Sequence, residues 1–300
     1  MREHPALSRR ARRRHRHRAA VPAAGLLLAT TACLHSDLHP DADAAALPAL
    51  DHVVVVVLEN HAYSQIIGSP AAPYLNSLAA RGADLTGFTA ETHPSQPNYF
   101  AMFSGGTQGV TSNACPPPGS QFAIPNLGRE LIDAGRSWGS YNEGLPAEGS
   151  MVCVNSPTRY ARKHNPWFSF SNVPASTGHT FARWPSDFTT LPTVSFVVPN
   201  LCHDMHDCSV RTGDTWLRDR LGSYATWART HNSLLVVTAD EDDHSEGNRI
   251  PTVFYGAHVK TGRYPAPYGH YNLLRTIEDI YHTAHAGRAS SAAPITEVWN

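Results

Sequence analysis

The sequence predicts a single α/β domain with a mostly parallel central sheet covered by helices on both faces. Three observations predict it: predominantly apolar strand-like segments at 53–58, 193–198 and 233–238, the first an unbroken run of β-branched and aliphatic residues, helical patterning between them, and polar clusters after each. Strands buried on both faces read as continuous apolar runs, and alternation with helices makes neighbouring strands parallel. The C-terminal ends of parallel strands share one sheet edge, which is where function is expected.

Residues 1–36 read as a leader, with a basic run at 9–18, a small-residue apolar stretch at 19–32, and Cys33 after it. The stretch is too short to span a membrane comfortably. Thr30-Thr31-Ala32-Cys33 is similar to a bacterial lipobox except at Thr30, where a large aliphatic residue is usual, so ordinary export is favoured over lipid anchoring through Cys33. Residues 37–50 are Ala/Pro/Asp-rich without periodicity and read as a linker, and the folded domain occupies 51–300.

The chain of 300 residues is 41% hydrophobic, enough for one large core. Its net charge of −1 conceals a basic leader and an acidic remainder. That remainder has no basic stripe, which excludes nucleic acid as a partner. Beyond Cys33 four cysteines remain, an even number that in an exported chain suggests disulfides. Their spacing favours Cys202 with Cys208 and Cys115 with Cys153.

The strand at 53–58 precedes a helix at 69–81, where Leu75, Leu78 and Ala79 lie on one face and Gly82 stops it. A helix at 97–103 opens with Pro97 in its first turn and closes at Gly105-Gly106. Another follows at 127–134 with Gly135 as stop, then a strand at 138–141. Residues 143–187 form a long Pro/Gly/Asn/Ser-rich excursion, too loop-like for a sheet layer and a candidate active-site wall. Alternation resumes with strand 193–198, helix 215–230, strand 233–238, short strand 252–255 and helix 271–282.

The polar clusters after the three apolar runs are Glu59-Asn60-His61, Asn200 with His203 to Asp207, and Asp240 to His244. Brought to one edge, their carboxylates, amide and imidazoles suit a hard or borderline divalent cation. Glu59 and Asp240 directly abut apolar strands and read as site residues, whereas Asp242, Asp243 and Glu246 read as a solvated acidic loop. Ser95 stands just before a predicted helix start, where serine serves either as an N-cap or as a hydroxyl facing an anion. The N–H of Gln96 at the same helix start would face such an anion as well.

The ordered segments Leu58-Glu59-Asn60-His61, Thr92-His93-Pro94-Ser95-Gln96-Pro97-Asn98-Tyr99, Lys163-His164-Asn165-Pro166-Trp167, Asn200 through Asp207, Thr238 through Asp243 and Gly269 through Glu278 resemble the phosphoesterase family of acid phosphatases and phospholipases C, within the alkaline-phosphatase superfamily. The resemblance implies an alkaline-phosphatase-like fold and a hydrolase of phosphate esters. It implies Ser95 as a nucleophile that becomes transiently phosphorylated, and a divalent metal ion, of identity not specified by these residues, held by Glu59, Asn60, Asp240, Glu241 and the Ser95 oxygen. His164 and His206 would bind phosphate and protonate the leaving alcohol. Lys163 stands where arginine is common, and His203, Asp204, Asp207 and His270 are further substrate-binding candidates.

The short stretch after 277–280 favours a phosphomonoesterase over a phospholipase C-type phosphodiesterase. Tyr99 stands where sulfatases of the superfamily carry arginine, which argues against a sulfatase. A non-catalytic metal-binding envelope protein is the alternative of another class, opposed by the presence of Ser95 with all four ligands. The expected partner is a small-molecule, sugar or lipid phosphate ester, and no stable protein partner is implied. Tyr160, Trp167, Phe168, Phe170, Phe181 and Trp184 are candidate lining for a lipid or aromatic leaving group, although a packed excursion needs aromatics in any case.

Overall fold

A computed structural model describes residues 47–300; the expected leader with Cys33, and the linker up to residue 46, lie outside the described residues. In chain order the elements are β1 (His52–Leu58), α1 (Tyr63–Ile66), α2 (Pro73–Arg81), β2 (Ala83–Leu85), α3 (Ser95–Ser104), α4 (Leu127–Asp133), β3 (Trp138–Asn142), β4 (Val154–Asn155), β5 (Tyr160–Ala161), β6 (Gly178–Thr180), β7 (Val194–Val198), α5 (Val210–Ala228), β8 (Ser233–Ala239), β9 (Thr252–Gly256), β10 (Gly262–Tyr264) and α6 (His270–Tyr281). Eight strands form one sheet in the order β10-β2-β9-β8-β1-β7-β3-β6, and β4 and β5 make a separate hairpin. Within the sheet β9 runs antiparallel to β2 and β8, and every other pairing is parallel.

Burial explains the apolar runs. In β1 every residue from Val53 to Leu58 is buried, and β7 and β8 are buried throughout. Side chains of a strand alternate between faces, so consecutive burial means both faces are covered. Two helix groups provide the cover: α2 packs on α5, and α3 packs on α4 and α6. Leu50 is also buried and Leu47 packs on the core, so the last described residues of the expected linker lie on the domain.

The differences from the sequence reading have local causes. Helix α2 starts at Pro73 rather than 69, because 69–72 turns at Pro70 and the first free N–H groups of the helix find an acceptor elsewhere. Tyr74 and Leu75 donate their N–H groups to the buried Asp214 carboxylate of α5 at 3.0 and 2.8 Å. That use of Asp214, beside a Gly213 packed on Met205, masks the first turns of α5, which begins at Val210 under the cap of Ser209 rather than at 215. Helix α3 begins two residues earlier than expected, at Ser95, and ends where expected, with Gly105 in the left-handed region at φ 64°. A Cβ there would run into the Ala286 carbonyl, so only glycine fits.

Strands β2 and β10 carry no legible pattern, being three residues each with Asp84 and Arg263 at their centres. The 143–187 excursion is also not wholly outside the sheet: its β6 pairs with β3 and forms the sheet edge. Most of its aromatics serve the core rather than a pocket. Tyr160, Trp167, Phe168 and Phe170 are buried, and Trp167 packs against Phe103, Trp138 and Phe196. Phe181 and Trp184 instead line an open cavity of about 580 Å³ with Leu145 and Arg220. Both disulfides pair as expected, Cys115 with Cys153 and Cys202 with Cys208. No helix among the described residues is long and apolar enough to cross a membrane.

One polar feature of the core lies away from the strand ends. Glu130 of α4 and Glu278 of α6 are buried together, and Glu278 Oε1 accepts the Ala286 N–H at 2.9 Å. Burial, with the repulsion of Glu130 and Asp279, pushes Glu278 up to about 9, and burial with the repulsion of Asp133 pushes Glu130 up to about 7 although its hydrogen bond with Glu278 opposes this. Their otherwise unpartnered oxygens are satisfied when a proton is shared between them. Because both folded pKa values lie above the ordinary glutamate value, this contribution is complete below about pH 4.5 and is lost as pH rises through about 7 and 9. Glu278→Gln, whose amide donates to Glu130 without a proton, should therefore stabilise the protein at pH 8.5 by on the order of 1–2 kcal/mol, roughly 3–6 °C in Tm, and by nothing at pH 4.5. Equal Tm changes at both pH values, measured by calorimetry, would refute the shared proton.

Candidate active site

The site is assembled by strand register. Leu58 of β1 aligns with Ala239 of β8, so Glu59 and Asp240 leave the sheet side by side. The Asp240 N–H donates to the Leu58 carbonyl at 3.0 Å, and the Glu59 N–H to the Asp204 carbonyl at 2.8 Å, which draws in the loop after β7. Asn60 then turns the chain with φ 52°, a conformation asparagine tolerates, and its N–H donates to Asp240 Oδ1 at 3.2 Å.

Ser95 is the first residue of α3, and the flanking Pro94 is the cap position, so the serine is not the N-cap. Its hydroxyl points instead at two carboxylates, lying 3.1 Å from Glu59 Oε2 and 3.0 Å from Glu241 Oε1. One hydroxyl hydrogen serves only one acceptor at a time, so the second approach is between two oxygen acceptors. Asp240 Oδ2, fully buried, has no partner at all. Burial first, then the repulsion of Glu59 and Glu241, pushes the Asp240 carboxyl far above the usual range, and burial also raises Glu241. Converging buried oxygens short of hydrogens are the donor set a hard divalent cation takes.

Glu59 reaches a second cluster through its other oxygen. Tyr99 donates its hydroxyl to Glu59 Oε1 at 2.6 Å, and His164 Nε2 lies 2.9 Å from the same atom, off the direction of a good hydrogen bond. The Tyr99 and His164 rings stack at 5.1 Å. His164 Nδ1 lies 3.4 Å from Asp204 Oδ2, and Glu59, His164 and Asp204 place three ligand atoms within 4.8 Å of one another. Burial is the largest influence on each of these groups. For Glu59 it is outweighed by His164, Lys163 and Tyr99, which hold the carboxyl down at about 2; His164 is raised because Glu59 and Asp204 together outweigh burial. Asp204 stays raised despite His164.

The remaining expected residues fall into two groups. His206 is partly exposed beside this cluster, its Nδ1 2.8 Å from Asp207 and its Nε2 3.4 Å from Lys163 Nζ. Asp207 also pairs with Arg159 at 3.5 Å. The others are committed elsewhere. The Gln96 N–H donates to Asn113 Oδ1 at 3.0 Å and its amide to the Ser112 and Ala114 carbonyls, so the expected free donor is engaged in holding a loop. His203 binds Glu143 at 2.8 Å and stacks on Trp216, facing the outer wall. His270 is fully buried beneath the site, 2.8 Å from the Asp240 carbonyl, and burial holds it down at about 4 in the neutral form.

Residues that the sequence reading passed over also belong here. Tyr99 and Asn98 lie one turn after Ser95 on its face of α3, an i+3/i+4 spacing legible once the helix start is placed at 95. Asn98 accepts the Glu91 and Thr92 N–H groups at 3.1 Å, which orders the approach to Ser95. His93 lies 2.7 Å from Glu241 and 3.2 Å from Asp242, its ring 3.8 Å from that of His244 and tilted by 31°. Asp242 is not solvated: it is buried and accepts the N–H groups of His244, Glu246 and Asn248 at 2.8–3.0 Å, whereas Asp243 is exposed.

A parallel-sheet α/β fold with a helix-terminal serine set against strand-end carboxylates defines a hydrolase of the alkaline-phosphatase architecture. Residues 69–284 match the Phosphoesterase family, and the chain belongs to it. It is similar to a phosphatidylinositol-3-phosphatase of Mycobacterium tuberculosis, 54% identical over 85% of each chain. It is also similar to a phosphate-repressible acid phosphatase of Penicillium chrysogenum, 29% identical over 93% of this chain and 74% of that one. Its fold matches a solved alkaline-phosphatase-superfamily protein of Vibrio parahaemolyticus, with a TM-score of 0.54, 13% identity, and coverage of 82% of this chain and 72% of that one. The chain is accordingly a hydrolase acting on phosphate monoesters.

The crowding of acids should be measurable without turnover. Adding a divalent cation to chelator-treated protein should raise Tm by several degrees, as binding to the folded state alone requires. Asp240→Asn, which relieves the repulsion, should raise the Tm of chelated protein and shrink the cation-induced shift. An unchanged shift in Asp240→Asn would remove that carboxylate from the donor set.

Proposed function

We propose that this protein is a secreted phosphomonoesterase that works through a phosphoserine at Ser95, assisted by a divalent cation, and that its substrates are lipid phosphate monoesters of the phosphoinositide class. The observation that carries the reading is the Ser95 hydroxyl at the positive end of α3, held between Glu59 and Glu241. The substrate class rests on the name of the 54% identical relative, and secretion is supported by the two disulfides.

Glu59, Asp240, Glu241, Ser95 and Asn60 would hold the cation, with His164 and Asp204 bordering it through Glu59. Bound there, it supplies positive charge that lowers the pKa of the hydroxyl and offsets the repulsion between carboxylates and phosphate. Ser95 Oγ attacks phosphorus and gives up its proton to an adjacent carboxylate, Glu241 or Glu59. The dipole of α3 favours the phosphate dianion close to its first turn. His164, whose protonated form Glu59 and Asp204 favour against burial, adds positive charge when it carries a proton. As the ester P–O bond breaks, His206, accessible and oriented by Asp207, gives its proton to the leaving alcohol. Water then cleaves the phosphoserine, releasing phosphate with net retention at phosphorus.

Ser95→Ala should lower phosphate release from p-nitrophenyl phosphate by at least about a thousandfold and abolish covalent labelling by radiolabelled substrate in acid-quenched protein. Full activity in that variant would sink the nucleophile assignment. His206→Asn should slow esters of poor leaving alcohols by on the order of a hundredfold more than p-nitrophenyl phosphate, because p-nitrophenol leaves without protonation. Equal slowing of both would remove His206 from the acid role.

A further inference from the structure

The described large hydrophobic side chains that are exposed fall within four consecutive residues: Met151 at 43%, Val152 at 39% and Val154 at 63%. They sit at and before β4, whose partner β5 leads directly into the 162–164 turn. The tip is fastened to that turn, since Arg162 donates its N–H to the Cys153 carbonyl at 2.9 Å and its guanidinium to the Met151 carbonyl at 3.0 Å. His164 of the same turn stands against Glu59.

The tip is also fastened to the other side of the site. Cys153 is bonded to Cys115, and the loop before Cys115 holds Gln96 through Asn113, Ser112 and Ala114, one residue from Ser95. The apolar tip is therefore tied covalently or by hydrogen bonds to both walls that carry the reacting groups.

Composition decides what this rim can face. Residues 107–121 and 149–158, the two loops joined by the disulfide, contain no charged residue and no histidine, in a chain that is 16% charged. Pro116, Pro118 and Gly119 are exposed beside the aliphatic residues. Charges resume only at the base, at Glu148 and Arg159. A surface without charges enters the headgroup region of a bilayer with no ionic desolvation cost, and its exposed aliphatic and proline carbons gain from burial there.

We propose that the rim formed by 113–119 and 150–154 is a membrane-docking surface that inserts shallowly into a lipid interface and places the Ser95 site over phosphate-bearing headgroups. This rests on the lipid-phosphate reading above and adds how the substrate is reached. Attraction here is apolar, so binding should need no anionic lipid and should persist in high salt, unlike adsorption through basic residues.

The test is co-sedimentation of the full protein with phosphatidylcholine vesicles in 0.1 and 0.5 M salt, beside turnover of p-nitrophenyl phosphate. Wild type should bind equally at both salt levels. Met151→Asp/Val154→Asp should bind roughly tenfold or more weakly, keep its Tm and its p-nitrophenyl phosphate turnover, and hydrolyse vesicle-embedded phosphatidylinositol 3-phosphate roughly tenfold more slowly. Val152→Trp should bind more tightly, which keeps the test decisive if the aspartates impair folding. Absence of vesicle binding by wild type, binding only to anionic vesicles at low salt, or equal binding by all variants would overturn the proposal, as would capture of a protein partner on this rim without vesicle binding. Vesicle binding without turnover of any phosphate ester would leave the docking surface standing and sink the proposed activity instead.

Discussion

Mutual repulsion among buried carboxylates is the constraint on which the rest of this structure depends. Parallel pairing of β1 with β8 delivers Glu59 and Asp240 together at zero exposure, and Glu241 follows beside Ser95. Such a group is costly to bury unless positive charge or protons offset it. The neighbourhood supplies part of that offset from its own residues, with His164 and the Tyr99 hydroxyl against Glu59. The hydrophobic sheet is what makes the crowding sustainable, because a slip of β1 against β8 would draw a polar end residue, His52 or Glu59, into the apolar layer.

The same constraint sorts the histidines, which sequence alone treats as equivalent. His164 has two carboxylates and is driven toward its cation; His270, with only a carbonyl, is held neutral at full burial. His206 keeps access to solvent and can exchange protons. Three imidazoles near one edge thus have distinct electrostatic jobs, set by what each ring nitrogen meets.

The long apolar strands and the carboxylates after them were legible because a doubly covered parallel strand leaves an unbroken run in the sequence, with function starting where it stops. Glu59 and Asp240 were read as site residues this way, whereas Ser95 was read from the helix start and Glu241 from the family resemblance. Strands of three residues such as β2 and β10 leave no period to read, and β6 was hidden in a loop-rich stretch. Asp242 misled because an acidic run reads as solvated, whereas here its oxygens are consumed by three backbone N–H groups of its own turn. Tyr99 was missed because its role depends on a helix start displaced by two residues, and Gln96 was misassigned because nothing in the sequence announces that Asn113 returns to it.

Neither disulfide touches the main sheet or the six helices. Cys115–Cys153 ties the rim loops together, and Cys202–Cys208 brackets the segment that carries Asp204 and His206. Oxidation therefore bears on the mouth of the site and on the loop that carries His206 rather than on the sheet and its helices. In a reducing cytoplasm the newly made chain would have its carboxylates and serine but a loosened entrance and a less firmly held imidazole. Reduction would thus act first on the entrance to the site.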